Sequence, residues 1–259
     1  SQPKGVMVSH ANLIHNLETI HQSFGHSAES HGVIWLPPHH DMGLIGGILQ
    51  PIYSGFAVTL MPPELFLRQP IRWLQAISDF RGTTSGGPDF AYDYCLQKTM
   101  DEQRQGLDLS CWQVAFTGAE PVRAATLTAF SDTFAKYGFR KRSFYPCYGL
   151  AESTLFVAGG QSDDLPIIRQ LDRRLLGQGK AVIADKTDPN AVAVVSCGPP
   201  AEAACIVDPH TCHPCAHNQV GEIWLTGASV AQGYWQNDKA TEASYRARLA
   251  DGSAPYLRT

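Results

Sequence analysis

The segment Tyr148-Gly149-Leu150-Ala151-Glu152 follows directly on a strand-like run, and that placement suits it to phosphate chemistry. A carboxylate beside backbone N–H groups at the end of a strand can hold Mg²⁺ and phosphate together, which makes Glu152 the candidate metal-contacting residue. Taken alone, the segment also reads as a turn before a helix N-terminus, with Glu152 complementing the helix dipole. A second turn, Gly118-Ala119-Glu120, follows the run Phe116-Thr117. Gly118 and Gly149 would let backbone approach a ligand closely, and Tyr148 offers an aromatic face to a purine. Either glycine alone is an ordinary turn residue; two such turns at neighbouring strand ends favour one pocket. Lys4, between Pro3 and Gly5, carries a point charge suited to phosphate, although a solvated turn lysine would look the same.

Other segments carry weaker signals. Trp35-Leu36-Pro37-Pro38-His39-His40-Asp41-Met42-Gly43 puts two histidines and an aspartate at a strand end. Neighbouring side chains point apart, so a hydrogen-bonded His40-Asp41 turn is favoured over a metal site, with His40 on the substrate side or gating it. Gly86-Gly87-Pro88-Asp89-Phe90-Ala91 forms a further strand-end turn, where Phe90 and Met42 would line an apolar pocket or simply pack. His210, Cys212, His213, Cys215 and His217 look metal-like in composition, and Cys212 and Cys215 have ligand spacing. A second pair at structural-zinc distance is missing, and a hairpin loop is the milder reading. No Gly-x-Ser-x-Gly elbow supports serine-hydrolase chemistry.

The elements that must position these residues alternate. Strand-like runs at Val33 to Leu36, Ala57 to Leu60, Thr83 to Ser85, Val114 to Thr117 and Ser143 to Tyr145 are separated mostly by helical patterns. The fold class expected is α/β: a doubly wound, mostly parallel sheet with helices on both faces. Leu13, Leu17 and Ile20 recur at helical spacing after the cap Ser9, Ile71, Leu74 and Ile77 after Pro70, and Leu127, Phe130 and Phe134 in a helix starting at Pro121. These stripes are expected to be core. Beyond about residue 160 the rhythm becomes short β-type runs at Ala181 to Ala184, Ala191 to Val195, Ala203 to Val207 and Glu222 to Thr226, which predicts a smaller antiparallel sheet or barrel. The expected division is 1–160 as the α/β part, 161–195 as an inserted segment and 196–259 as a truncated β-rich subdomain.

Composition narrows the class. A chain of 259 residues, 44% apolar, can bury a large core. Net charge −4 and a pI near 6.2 leave no electrostatic footprint for nucleic acid. Apolar stretches are broken by Gln50, Pro51 or glycine before membrane-spanning length, and no signal-peptide pattern opens the chain. Seven scattered cysteines suit a reducing cytoplasm better than a disulfide framework. Both ends read as cuts through a larger protein.

In order and spacing, the segments Pro3 to Leu13, Trp35 to Gly47, Gly118 to Pro121, Tyr148 to Glu152 and Gly221 to Trp235 resemble core motifs of the adenylate-forming superfamily of acyl-CoA synthetases, luciferases and peptide-synthetase adenylation domains. The likeness spans nearly the whole chain and is greatest to the fatty acyl-AMP ligases. It rests there on His40 to Gly46, Gly87 to Tyr92, Ala151 where many relatives have Thr, and the long interval from Glu152 to Gly198. Within that interval, Leu165 to Asn190 resembles the insertion thought to restrain a small C-terminal domain and disfavour free CoA.

The resemblance implies that a fatty carboxylate attacks the α-phosphorus of Mg·ATP, pyrophosphate leaves, and the acyl group passes to the phosphopantetheine thiol of an acyl carrier protein. By motif match, Glu152 and His40 would be catalytic, Glu152 holding Mg²⁺ and His40 lying near the acyl carboxylate. Lys4 would belong to the phosphate loop, and Gly118, Ala119, Glu120, Tyr148, Gly149, Leu150 and Ala151 would frame the nucleotide. Met42, Gly87 and Phe90 would line the acyl site. Asp89 departs from the Asn usual there. The ribose-binding Asp, the catalytic Lys and the small C-terminal domain are expected outside the chain, so this polypeptide by itself is expected to be inactive, and unstable where its sheets lose neighbouring strands. A long-chain acyl-CoA synthetase and a non-catalytic nucleotide- or acyl-binding module are the competing readings.

Overall fold

The computed structural model describes residues 3–253 and 255–259. The principal sheet contains β1 (His31–Ile34), β2 (Ala57–Leu60), β3 (Thr84–Gly87), β4 (Val114–Thr117), β5 (Phe144–Gly149) and β6 (Phe156–Gly159), in the spatial order 2-1-3-4-5-6. The first five run parallel, and β6 turns back antiparallel to β5. Between them lie α1 (His10–Phe24), a π-helix (Met42–Leu49), α2 (Gln50–Ser54), α3 (Pro63–Arg68), α4 (Ile71–Asp79), α5 (Asp89–Lys98), α6 (Asp101–Arg104) and α7 (Ala124–Phe134).

Side chains that alternate along the strands divide between two faces. Val114 and Tyr145 pack with Ile20 and Phe24 of α1. Their neighbours Ala115 and Phe144 join Trp73 of α4, Tyr92 of α5 and Phe130 of α7 in a largely aromatic core. The sheet is therefore doubly wound, as the alternation of elements requires. Helix α1 starts where Ser9 predicts: its hydroxyl accepts from Asn12 N at 3.1 Å while Asn12 Oδ1 accepts from Ser9 N at 3.0 Å. Gly25, at φ 65°, ends it in the left-handed conformation that a β-carbon would disfavour.

Boundaries shift where tertiary packing overrides local pattern. β1 ends at Ile34 and not at Leu36: Trp35 and Leu36 read as strand because they are apolar, but they are buried outside the ladder, Trp35 stacked on Phe66 at 3.9 Å. β3 extends through Gly86 and Gly87, where a β-carbon on Gly86 would fall on the Phe116 carbonyl of the neighbouring strand. β5 continues past Pro146 to Gly149, and α7 begins at Ala124, beyond Pro121. Ala181 to Ala184 makes only an isolated bridge, Leu171 to Ile183.

The remaining strands are antiparallel. β7 (Ile168–Asp172) pairs with β8 (Ala191–Val195), while β9 (Ala204–Val207), β10 (Glu222–Leu225) and β11 (Leu257–Arg258) form a three-stranded sheet in the order 11-10-9. Among the described residues no helix is long and apolar enough to cross a membrane.

Asp89 shows how helices on one face are tied together. It is 1% exposed and accepts from Arg123 N at 2.9 Å, Arg123 Nε at 2.7 Å and Thr126 Oγ1 at 3.0 Å, joining the start of α5 to the start of α7. Asp89→Ala removes the acceptor from the buried Thr126 hydroxyl and is expected to cost about 2 kcal/mol, read as a lower denaturant midpoint. Asp89→Asn, which keeps an acceptor oxygen, is expected to lose less than half of that.

Candidate functional site

An apolar cavity of about 240 Å³ runs along the α1 face of the principal sheet. Its mouth is at the carboxyl ends of the parallel strands, where His40, Met42, Gly118, Ala119, Tyr148, Gly149 and Leu150 line it. Its inner end reaches the opposite edge of the sheet, at Gly32 near the start of β1, Phe56 before β2 and Thr84 opening β3. The walls between come from Ile20 and Phe24 of α1, Gly46 of the π-helix, and Phe116. Ile20, expected only as core, therefore serves both purposes. A π-helix is wider than an α-helix and is found preferentially at functional sites, and here it forms a wall of the cavity.

At the mouth His40 and Asp41 close a turn around one backbone donor: Nδ1 of His40 lies 2.6 Å from Asp41 Oδ1, and Met42 N donates to that oxygen at 2.7 Å and to His40 Nδ1 at 3.2 Å. With Nδ1 occupied inside this turn, Nε2 of His40 is engaged by none of the described residues. Gly118 and Gly149 stand at the mouth for a reason the sequence reading did not supply. The space a β-carbon would need is filled by protein: by the Cys147 carbonyl oxygen, 2.7 Å away, at Gly118, and by the Leu155 carbonyl at Gly149, where β5 is bulged against β6. Close approach of neighbouring strands, before any ligand is considered, demands glycine at both positions.

Glu152 lies just beyond Leu150 on a single 3-10 turn, Ala151–Ser153. That turn is closed by Thr154 at φ 68° and ψ −66°, a strained conformation for a β-branched residue, held by its hydroxyl donating to Ser229 O at 2.7 Å. The Glu152 carbonyl accepts from Ala231 N at 2.9 Å, and its Oε1 accepts from the Tyr234 hydroxyl at 2.6 Å. Lys4 Nζ sits 4.5 Å from the centroid of the same Tyr234 ring. Lys4 and Glu152, remote in sequence, are thus neighbours across one tyrosine. Oε2 of Glu152 is free of hydrogen bonds to the described residues, so the carboxylate can reach a Mg²⁺ that takes most of its other ligands from phosphate and water.

Other candidate residues lie elsewhere. Glu120 Oε1 accepts from Phe90 N at 2.7 Å and so caps α5, outside the cavity lining. Phe90 is 40% exposed and meets the edge of Trp35, and a β-carbon on Gly87 would also meet Trp35. Of the three acyl-site candidates only Met42 lines the cavity. Residues His210 to His217 form the loop after β9, folded back by Cys215 N donating to Ile206 O at 2.7 Å, and among the described residues no group of three or more His, Cys, Asp or Glu side chains gathers around a metal-sized site.

Sequence reasoning missed the inner end. His26 there is 8% exposed, between the rings of Phe24 and Phe56, with Nε2 3.3 Å from Thr84 Oγ1. Burial, with a smaller contribution from His21, pushes its imidazole down from 6.5 to about 4. It is neutral at ordinary pH, keeping the end of the cavity uncharged. No periodicity or motif marks His26, which follows the helix-ending Gly25.

A doubly wound sheet with paired glycine turns at its carboxyl edge, above an apolar channel, is the large-domain architecture of adenylate-forming proteins. The chain belongs to the AMP-binding enzyme family, which matches residues 1–235. It is 44% identical over 264 residues to the medium-chain-fatty-acid acyl-carrier-protein ligase JamA of Moorena producens, covering 100% of this chain and 45% of that protein. The 4-hydroxyphenylalkanoate adenylyltransferase of Mycobacterium tuberculosis is 37% identical over 265 residues, covering 99% and 43%. The fatty acyl-adenylate ligase of Legionella pneumophila, solved in complex with acyl adenylate and pyrophosphate, superposes with a TM-score of 0.96 at 48% identity, covering 99% of this chain and 45% of that one. The chain spans less than half the length of these relatives.

His26 has a consequence for pH. The unfolded chain takes up a proton there from about pH 6.5 downward and the folded chain only near 4, so this contribution to stability is complete above 6.5 and falls by about 3 kcal/mol as pH approaches 4. Denaturant midpoints at pH 7 and pH 5 are expected to differ accordingly, and His26→Phe is expected to flatten that difference. An unchanged slope in the variant would assign the pH dependence elsewhere.

Proposed function

We propose that the protein carrying this chain activates a fatty acid as its acyl-adenylate, using ATP and Mg²⁺ and releasing pyrophosphate, and then passes the acyl group to the phosphopantetheine thiol of an acyl carrier protein. One observation carries the reading: an apolar channel opens at the sheet's carboxyl edge among the turns that carry the nucleotide motifs, with Glu152 and Lys4 next to each other beyond it. The names of the related ligases, fatty-acid and acyl-carrier-protein, point the same way.

In this reading the acyl chain enters past Met42 and lies along α1, excluding water from the channel. Its carboxylate stays at the mouth beside His40, whose Asp41-anchored imidazole orients it towards the α-phosphorus. The carboxylate oxygen forms the new bond to phosphorus as the bond to pyrophosphate breaks. Tyr148, Gly118, Ala119, Gly149 and Leu150 frame the nucleotide, and Lys4 neutralises phosphate charge. Mg²⁺, held by Glu152 when bound, would neutralise the charge developing on the phosphates. The strands beside the channel are four residues long, about 13 Å at about 3.3 Å per residue. A staggered alkyl chain advances about 1.25 Å per carbon, so about ten carbons fill that length. A medium-chain acid fits, the class named for two relatives. All seven cysteines are free, which supports a cytoplasmic setting.

The test uses the full-length protein with Mg·ATP and decanoate, following pyrophosphate exchange and acyl products with free CoA or with phosphopantetheinylated carrier protein. Adenylate that persists with CoA and transfers to the carrier is the expected result. Rapid acyl-CoA formation would reassign the protein as a synthetase, and no adenylate with any acid would leave a binding module. Glu152→Gln is expected to lower exchange at least about 100-fold. A β-carbon on Gly46 meets only Leu155 Cδ2, at 3.4 Å, so Gly46→Val projects into the channel. It is expected to cut kcat/KM for decanoate at least about tenfold while sparing hexanoate, about the discrimination a few methylenes give.

A further inference from the structure

Tyr234 is 5% exposed, and both its backbone and its ring have partners. The chain around it pairs with the segment following Lys4: Met7 N donates to Gly233 O at 2.9 Å, Gln232 N to Met7 O at 2.8 Å and Trp235 N to Gly5 O at 2.7 Å. Its own N–H donates to Thr241 Oγ1 at 2.9 Å, and Tyr245 packs edge-on against its ring at 5.2 Å. Two features remain that packing does not require. The hydroxyl donates to Glu152 Oε1 at 2.6 Å, and Lys4 Nζ lies over the ring at 4.5 Å.

We propose that Tyr234 is a positioning residue of the adenylation site, which holds the Glu152 carboxylate and the Lys4 ammonium in a fixed relation before Mg·ATP arrives. This rests on the roles assigned above to Glu152 and Lys4. An exposed lysine and a carboxylate on a single strained turn would each sample several rotamers, and ordering them is a cost borne when the nucleotide binds. The tyrosine restricts both in advance. Its hydroxyl takes one carboxylate oxygen and leaves Oε2 for the metal; its ring face gives the ammonium a seat.

Tyr234→Phe separates this role from packing, because the ring, its contact with Tyr245 and the seat for Lys4 all remain. The full-length protein, Tyr234→Phe, Glu152→Gln and the double variant are compared by thermal midpoint, calorimetric affinity for Mg·ATP, and the Mg²⁺ dependence of pyrophosphate exchange. For Tyr234→Phe the expected result is a thermal midpoint near the parent's, affinity for Mg·ATP weaker by about tenfold, and a matching rise in half-saturating Mg²⁺, with kcat at saturating Mg²⁺ largely retained. In the Glu152→Gln background the same change is expected to add little, since the phenol acts through that carboxylate. Unchanged or tighter binding in Tyr234→Phe, or full additivity with Glu152→Gln, would overturn the proposal. A Glu152→Gln protein with parental binding and exchange would instead remove the reading of Glu152 on which it rests.

Discussion

Asn16 is fully buried on α1 and uses both ends of its side-chain amide. Nδ2 donates to Phe156 O at 2.8 Å and to Ser229 Oγ at 3.0 Å, while Oδ1 accepts from Phe156 N at 3.0 Å. Three pieces of chain meet there: the helix that walls the channel, the strand β6 that turns back after the Glu152 turn, and the loop that leads to Tyr234. A buried amide left unpaired is costly, so these segments are locked together by the need to satisfy one side chain. Asn12, one helical turn earlier, repeats the device by donating to Ala228 O at 2.6 Å and Val230 O at 3.0 Å. The placement of Glu152 depends on this joint, since Ala231 and Ser229 in the same loop hold its turn from the other side.

The candidate site and the strain in its backbone coincide. Ala119, at φ 63°, and Thr154, at φ 68°, are non-glycine residues in the left-handed half of backbone space, and each lies within two residues of a strand-end turn that carries a motif. Such conformations cost about 1–3 kcal/mol each and persist only where the surroundings over-determine them. For Thr154 the surroundings are visible: it is buried, and its hydroxyl is bound to the Ser229 carbonyl. The sheet reverses direction here, so β6 is antiparallel and the chain carrying Glu152 is turned back across the end of β5.

In the proposed function the channel would put an apolar acyl site and a polar activation site on opposite sides of one short barrier of residues. His40, Tyr148 and Leu150 mark the boundary, while everything inward is apolar until the neutral pair His26 and Thr84. Burial of a charge along that path would be expensive, which confines a carboxylate to the mouth. In that reading burial alone would sort one substrate end from the other, before His40 orients the carboxylate.

Much of the fold was legible from local signals. Ser9 marked the start of α1 by its hydroxyl, the alternation of strands and helices required a parallel sheet, and β2 and β4 coincide with their apolar runs. The order of motif segments also identified the superfamily, because glycine turns after strands leave a record in sequence. What sequence did not reveal were the relations between remote segments. Ile20 and Phe24 look the same whether they face a packed core or an empty channel, because both surroundings demand apolar side chains. Nothing in the local sequence around Glu120 shows that its carboxylate accepts from Phe90 N at the start of α5. Lys4, Glu152 and Tyr234 become one unit only through strand pairing between residues 5–7 and 232–235. Sequence by itself determined the alternation of strands and helices in the principal sheet, because those choices follow from periodicity and capping within a few residues. Tertiary structure alone decided which of those turns meet and what lies between them, since that depends on satisfying buried polar groups such as Asn16 across the whole length of the chain.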